Sequence, residues 1–398
     1  SRQIGTYGLE TMKKLSKLNV FIYGLRGLGT EIAKHLILSG INNITIYDPN
    51  LVTIHDLCAN CFLTEADINK RRDLSIYDKL CQLNPYVKIE LIQSSENLKF
   101  LSYPENFTNY DVVVITEFVN SNLLFEIHSY CNLNNKSFIY AIVFGIACFS
   151  FSDFGKNHCI LDPNGDNPKI YYIKNIIKDK YTGLGTVIID TKAATGKVKY
   201  ENSTYVKFKD IKGMEELNNT SPIMINDVDE DSFTIGDVSS FNKYKSGGIV
   251  TEVKMKKNIT YQQLKEKLYL PYEDDDNKIE QFDYSKPDRN ELLHLIIISL
   301  QKYYDSNNIL PEINDLGESE KVYKILLNNY EENKNKKWIQ NINNVDKKII
   351  LDIIKISRCE VIGMCAYMGG IVSQEVIKKT GLYVPINQFL YFDFYAII

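Results

Sequence analysis

The sequence VFIYGLRGLGTEIAKHLILSG (Val20–Gly40), followed by Ile44-Thr-Ile-Tyr-Asp48, carries the fold signature of the chain. An apolar run ends in Gly24 and a glycine turn carries the chain to Gly29. A helix then opens at Thr30 with Ile32, Leu36 and Ile37 on one face, and a second short apolar run ends in Asp48. Strand, glycine turn, helix, strand and acid, in that order, make the first half of a nucleotide-binding βαβ unit.

The turn departs from the usual fingerprint, which has glycine at its first, third and sixth positions. Here those positions are Gly24, Arg26 and Gly29, with an extra Gly27 between them. The third-position glycine lets the backbone approach a pyrophosphate closely, and Arg26 puts a long side chain there instead. Arg26 could attract phosphate, or it could fill the space of the nucleotide. The strand–turn–helix–strand context carries the fold, and the glycine pattern alone carries little about function.

Working outward, the turn sits in a chain of 398 residues, long enough for two or three domains with cores of their own. The 46 Lys+Arg nearly balance the 50 Asp+Glu, giving a net charge of −4, and no face reads as a nucleic-acid stripe. No stretch approaches the roughly 18 apolar residues of a membrane span, and no secretory signal is present, so a cytoplasmic and nuclear protein is expected. Cys58-Ala-Asn-Cys61 is a CxxC without a second pair at zinc spacing, and the five His do not cluster, so no metal centre is expected.

Downstream of Asp48, a helix at Asp73–Leu83 stops at Asn84-Pro85, where proline forbids continuation. Val87–Ile92, Val112–Thr116 and Ser137–Phe144 read as strands of the parallel type, with a helix at Leu123–Leu133 between the last two. To about Phe154 the alternation predicts one doubly wound α/β sheet. From Lys156 to Lys256 short alternating strands and turn signals predict an all-β module. Glu273-Asp-Asp-Asp276 reads as a solvated loop. Between Asp288 and Arg358 three helical stripes predict a small bundle. Val361–Gly381, rich in small residues, and Leu390-Tyr-Phe-Asp393 predict a returning helix and strand, which makes the β module and the bundle two insertions.

Three separated sets of motifs agree in order and rough spacing. They are Ser1-Arg2-Gln3 with the glycine turn, Asp48, Asp56-Leu57 and Phe62-Leu-Thr-Glu65; Gly247-Gly-Ile-Val-Thr-Glu-Val-Lys254; and Gly369-Gly-Ile-Val-Ser-Gln-Glu-Val-Ile377 with Leu390-Tyr-Phe-Asp393. On these residues the chain resembles the N-terminal half of the ubiquitin-activating enzyme. That resemblance implies a Rossmann-like, ThiF/MoeB-like adenylation fold interrupted by two insertions. The implied boundaries are 1–155 for the first segment of an inactive adenylation domain, 156–256 for a first catalytic-cysteine half-domain, 257–359 for a four-helix bundle and 360–398 for the closing segment. In the family, an active adenylation domain, a second catalytic-cysteine half-domain and a ubiquitin-fold domain follow such a half, so a fragment or a separate subunit is expected.

The resemblance also assigns roles. ATP and Mg²⁺ belong to the active domain, and none is expected to bind tightly here. The partners are ubiquitin, the active adenylation domain and, through the whole enzyme, ubiquitin-conjugating enzymes, with no nucleic acid or membrane. An adenylating site must hold phosphates, coordinate Mg²⁺ with a carboxylate and stabilise charge at phosphorus with cations. Where the active family copy has Asn-Leu-Asn-Arg-Gln-Phe, this chain has Asp56-Leu-Cys-Ala-Asn-Cys61, with Ala59 at the arginine position. Asn120 falls near the metal-binding aspartate. Arg72 matches a basic position, and Asp48 matches the acid that holds ribose, or else caps a loop. Gly24, Arg26, Gly27, Gly29, Asp48 and Arg72 are therefore expected to form a vestigial nucleotide site. Arg2 matches an arginine that reaches from the inactive domain into the partner domain's ATP site.

Two other readings compete. A dinucleotide-binding oxidoreductase would explain Gly24, Gly29 and Asp48, but not Arg26. A non-catalytic subunit for a SUMO-like or NEDD8-like protein would share the fold, and the Gly247–Lys254 motif favours the ubiquitin enzyme over it.

Overall fold

Val20, Phe21, Ile22 and Tyr23 alternate between the two faces of strand β1 (Asn19–Tyr23), and every one of them is buried. A strand apolar on both faces needs cover on both sides, as a parallel sheet has. In a computed structural model of the chain, residues 2–93, 100–191, 199–272, 279, 283–340, 342 and 346–395 are described, apart from the side chains of residues 2–4 and 6. The acidic run 273–276 lies outside them. The chain divides into two compact units, one of residues 1–159 and 258–398, the other of residues 160–257.

The first unit opens with helix α1 (Arg2–Leu15), broken at Gly8, and β1. Then come α2 (Gly27–Ser39), β2 (Asn43–Tyr47), α3 (Arg72–Cys81), β3 (Lys88–Leu91), β4 (Val112–Ile115), α4 (Ser121–Leu133), β5 (Ser137–Phe144) and β6 (Ala147–Asp153). Helix α2 stops at Gly40, which takes the left-handed conformation at φ 79° and donates its N–H to the Ile37 carbonyl. Strands β7 (His158–Ile160) and β14 (Lys257–Ile259) lie where the chain passes between units. After α5 (Leu264–Tyr269), α6 (Arg289–Asn307), α7 (Leu316–Asn333), α8 (Lys337–Gln340) and α9 (Lys347–Lys355), the unit closes with α10 (Ile362–Lys378) and β15 (Phe389–Asp393).

The sheet order is β15-β6-β5-β4-β1-β2-β3. The pairs from β5 to β3 are parallel and those of β6 with β5 and β15 antiparallel. The order 3-2-1-4-5 reverses between β1 and β4, and ligands of such sheets sit outside the carboxyl ends of the strands at that point. The sequence reading leaves out β6, because its Cys, Phe and Ser alternation is masked by the continuous run of β5 before it.

Val20, Ile22, Ile44, Ile46, Val112 and Val114 face a core shared with α2, α3 and α10. Phe21, Tyr23, Val113, Ile115, Tyr140 and Phe149 face the opposite core, shared with α4, α6, α7 and α9. The helices of 257–359 thus lie in the same unit as the sheet and cover its second face. Helix α6 is the central one, buried from Asn290 to Gln301.

Residues 160–257 hold β8 (Ile170–Lys178), β9 (Leu184–Ile189), β10 (Tyr205–Lys209), β11 (Ile223–Met224), β12 (Ser232–Asp237) and β13 (Ile249–Val253). Their antiparallel order is β11-β10-β13-β8-β9-β12. A bridge between Asn226 and Thr234 brings the two edges together, so the sheet is nearly a barrel. Val187, Val206, Phe208, Phe233 and Val250 fill its interior, on the inward half of each alternating strand.

Candidate functional site

The glycine turn joins β1 to α2 at the switch point, and its glycines are there for close packing. Gly24 has φ 89°, and a Cβ on it would lie 2.6 Å from Thr116 Oγ1. A Cβ on Gly29 would lie 1.9 Å from the Gly24 carbonyl oxygen, so no side chain fits. One on Gly27 would meet Ala59 Cβ and Cys365 Sγ at 2.7 Å. Asp48, fully buried at the end of β2, accepts the N–H of Leu25 at 2.7 Å and of Asn50 at 3.1 Å, which ties the turn to the neighbouring strand.

Arg26 points into the protein. Its Nε lies 3.1 Å from Asp56 Oδ1, its Nη2 donates to the Arg358 carbonyl at 2.9 Å, and its Nη1 lies 4.0 Å from Glu360 Oε1. Arg72, in the first turn of α3 and 6% exposed, donates from Nη1 to Asp48 at 2.5 Å and Glu117 at 2.7 Å, and from Nη2 to Asp56 at 3.3 Å. Its Nε has no hydrogen-bond partner among the described residues. Asp56 also accepts the N–H and hydroxyl of Thr53, and Glu117 accepts Asn50 Nδ2 at 3.3 Å. Glu360 Oε2 takes the N–H of Leu28, in the first turn of α2, at 3.2 Å.

Two guanidiniums thus face four carboxylates. Burial works against the charge of Arg26, but Glu360, Glu117 and Asp56 outweigh it and raise its pKa. Arg72 behaves alike, held charged against burial by Asp48, Glu117 and Asp56. Burial would raise Asp56, yet Arg72 and Arg26 bring it below the usual carboxylate range. Glu117 is pushed up to about 7, first by burial and then by the Asp48 carboxylate. At Glu117 burial and the like charges of Asp48 and Glu360 outweigh the Arg72 and Arg26 guanidiniums.

The N-terminus of α2 is where such a fold would hold a phosphate, because free N–H groups and the helix dipole favour an anion there. In this chain the anion at Leu28 is Glu360, from the segment leading into α10. Beside it lies a cavity of about 280 Å³, lined by charged Arg26, Asp56, Arg72, Glu117, Arg358 and Glu360 and by apolar Phe118, Ile142, Val143, Tyr304, Ile309 and Leu310. Ordinary small-molecule pockets run from about 300 Å³ upward.

The sequence matches the ThiF family over residues 1–397. The chain belongs to that family. It is 34% identical over 397 residues to ubiquitin-activating enzyme E1 2 of Arabidopsis thaliana, covering 99% of this chain and 35% of that protein. It is 32% identical to ubiquitin-activating enzyme E1 1 of Schizosaccharomyces pombe, covering 99% and 36%. To ubiquitin-like modifier-activating enzyme 7 of Mus musculus it is 31% identical, covering 99% and 38%. The chain spans about a third of the length of the curated relatives it matches. Among solved structures, E. coli MccB aligns at 20% identity with a TM-score of 0.34, over 39% of this chain and 47% of that one.

The ThiF adenylation fold anticipated from the sequence is the fold of this chain. Within it Arg26, Asp48 and Arg72 come together in one buried network, and Gly24, Gly27 and Gly29 shape the turn around it. Ala59 is 2% exposed and packs on Gly27, contributing no charge. Asn120 caps α4, accepting the N–H of Asn122 at 3.0 Å. Among the described residues no three His, Cys, Asp or Glu side chains stand together as a metal site. Arg2 opens α1, and its side chain lies outside the described residues. Sequence reasoning missed Glu117 and Glu360. A signal existed for Glu117, an acid just past the apolar run of β4; none existed for Glu360, which is 332 positions from Leu28.

Proposed function

We propose that this chain is the non-adenylating part of an activating enzyme for ubiquitin or a ubiquitin-like protein. The observation that supports it most is the Glu360 carboxylate at the N-terminus of α2, where a nucleotide would put its phosphate. A second anion there would meet Glu360, Asp56 and Glu117, and Arg26 and Arg72 already have carboxylate partners. The same occupancy argues against a dinucleotide-dependent oxidoreductase.

On this reading the enzyme's ATP and Mg²⁺ are held by a companion adenylation domain, which adenylates the modifier's C-terminus before thioester formation and transfer to conjugating enzymes. This chain supplies scaffold, the barrel of residues 160–257 supplies part of the surface on which the modifier rests, and Arg2 is donated to the companion's ATP site. The chemistry suits an arginine, because guanidinium stays charged and clasps two phosphate oxygens at once. Arginines supplied across an interface are worth about 10³–10⁵ in rate in GTPases. In the complete enzyme Arg2→Ala is expected to slow adenylate formation without changing the melting temperature.

The test is ATP–pyrophosphate exchange with the 398-residue chain and ubiquitin. Background exchange is expected, and ubiquitin-dependent exchange well above a no-protein control would overturn the reading.

A further inference from the structure

We propose that the cavity beside the ionic network binds a small organic cation, an amine with a flat apolar body, in place of a nucleotide. The inference rests on the reading above in one respect, that the phosphate position is filled.

The cavity is lined by two unlike sets of residues. Phe118, Ile142, Val143, Tyr304 and Leu310 make the apolar one, with the Phe118 and Tyr304 ring centroids 5.8 Å apart. Aromatic side chains pack on flat apolar bodies, and their faces attract a positive charge. In the polar set the guanidinium nitrogens of Arg26 are engaged with Asp56, Glu360 and the Arg358 carbonyl. Arg358, the third cation of the lining, is hydrogen-bonded to Glu312. Asp56, Glu117 and Glu360 line the cavity, and Glu117, 17% exposed against 1% and 3%, is the most accessible of the three.

The groups that act on Glu117 are Asp48 and Glu360 of like charge, and Arg72 and Arg26 of opposite charge. The lining itself holds three guanidiniums, Arg26, Arg72 and Arg358, and three carboxylates, Asp56, Glu117 and Glu360. With Arg358 paired to Glu312 and Asp48 buried behind Arg72, the network as a whole is short of positive charge, which an ammonium group supplies and a phosphate worsens. Ser357 gives an independent sign of a polar occupant. It lines the same cavity, is 1% exposed, and its hydroxyl has no hydrogen-bond partner among the described residues. Four other buried hydroxyls, of Ser137, Ser150, Ser152 and Tyr261, are likewise unpartnered among the described residues, and Ser357 is the one of the five that lines the cavity. The unpartnered Arg72 Nε is one donor, and the carboxylate excess outweighs it.

The experiment titrates three probes of matched shape, benzylamine, benzyl alcohol and benzoate, and separately MgATP, into the 398-residue chain near pH 8, read by ligand-observed NMR. Benzylamine is expected to bind saturably, benzyl alcohol more weakly and benzoate not at all. Glu117→Gln should weaken benzylamine about tenfold, the loss expected for one charge-assisted hydrogen bond. Leu310→Trp, which fills the cavity from its partly exposed apolar side, should abolish binding; thermal melts establish that both variants fold. Absent benzylamine binding, benzoate binding as tightly as benzylamine, or Glu117→Gln leaving a folded protein with unchanged affinity would each overturn the inference. Failure here with pyrophosphate exchange at background leaves the proposed function standing. Saturable MgATP binding with exchange above background overturns both.

Discussion

The ionic end of the sheet and the interior of the barrel are built on opposite terms. In the first, Asp48, Asp56, Arg72 and Glu360 are buried together. In residues 160–257, no polar or charged side chain is buried among the described residues; the interior is Ile, Val, Phe, Tyr, Met and Leu. A unit that needs only stability has little reason to bury charge, because a buried ion pair is often no better than a hydrophobic replacement. The barrel follows that rule. The sheet-bearing unit buries charge in several places, among them His128 with Asp153 and Asp393 with Lys286 and Arg289. The densest is at the switch point, where residues 26, 48, 56, 72, 117 and 360, drawn from distant parts of the chain, form one network. The contrast teaches that buried charge in this chain goes with the sheet and its helices and not with the barrel.

The contrast can be broken most forcefully at Arg72. Arg72→Ala leaves Asp48 and Glu117 without their shared cation, and breaking a buried pair from one side costs about 3–5 kcal/mol. Urea unfolding of the 398-residue chain should show a loss of that size; a loss below about 1 kcal/mol, the range of surface ion pairs, would mean that the carboxylates relax into water.

A smaller effect comes from pH. The pKa of Glu117 is raised in the folded chain, to about 7. Between the ordinary glutamate range and that value the folded chain keeps a proton that the unfolded chain has released. The stabilising contribution is therefore complete below the ordinary range and is lost as pH rises through 7. Glu117→Gln does not titrate. Wild-type stability relative to that variant should fall from pH 5 to pH 8, by on the order of 2 kcal/mol. Melting curves at intervals across this window test the sign, and a wild type that gains on the variant with rising pH would contradict it.

The barrel should give the smallest and plainest responses. Ile235→Val removes one buried methyl group and should cost about 0.5–1.5 kcal/mol. Lys207→Ala, on an exposed position of β10, should stay within about 0.5 kcal/mol of wild type. Neither loss should vary with pH across the window in which Glu117 titrates, and a pH-dependent loss at Ile235 would blur the distinction between the regions.

The legible parts of the molecule are those set by local periodicity. Gly24, Gly29 and Asp48 announce the strand–turn–helix–strand unit because the turn, the helix stripe and the acid are neighbours in sequence. Alternation announces the all-β module, with boundaries at 156 and 256 against 160 and 257 for the compact unit. The helices of 257–359 were legible as helices, but their periodicity says nothing of what they cover, and α6 packs on the aromatic face of the sheet. The network was the least legible. Arg26 left two readings open because its partners, Asp56, Arg358 and Glu360, are set by tertiary packing. Glu360 carries no local sign that its carboxylate reaches the N-terminus of α2.

Calorimetric titration of MgATP into the 398-residue chain asks whether the glycine turn takes a nucleotide. With Glu360 at Leu28 and the two buried arginines engaged by carboxylates, no saturable heat is expected for the wild type at millimolar nucleotide. Saturable binding in the micromolar range, weakened by Arg26→Ala, would show instead that Arg26 serves phosphate and that the site is a working one.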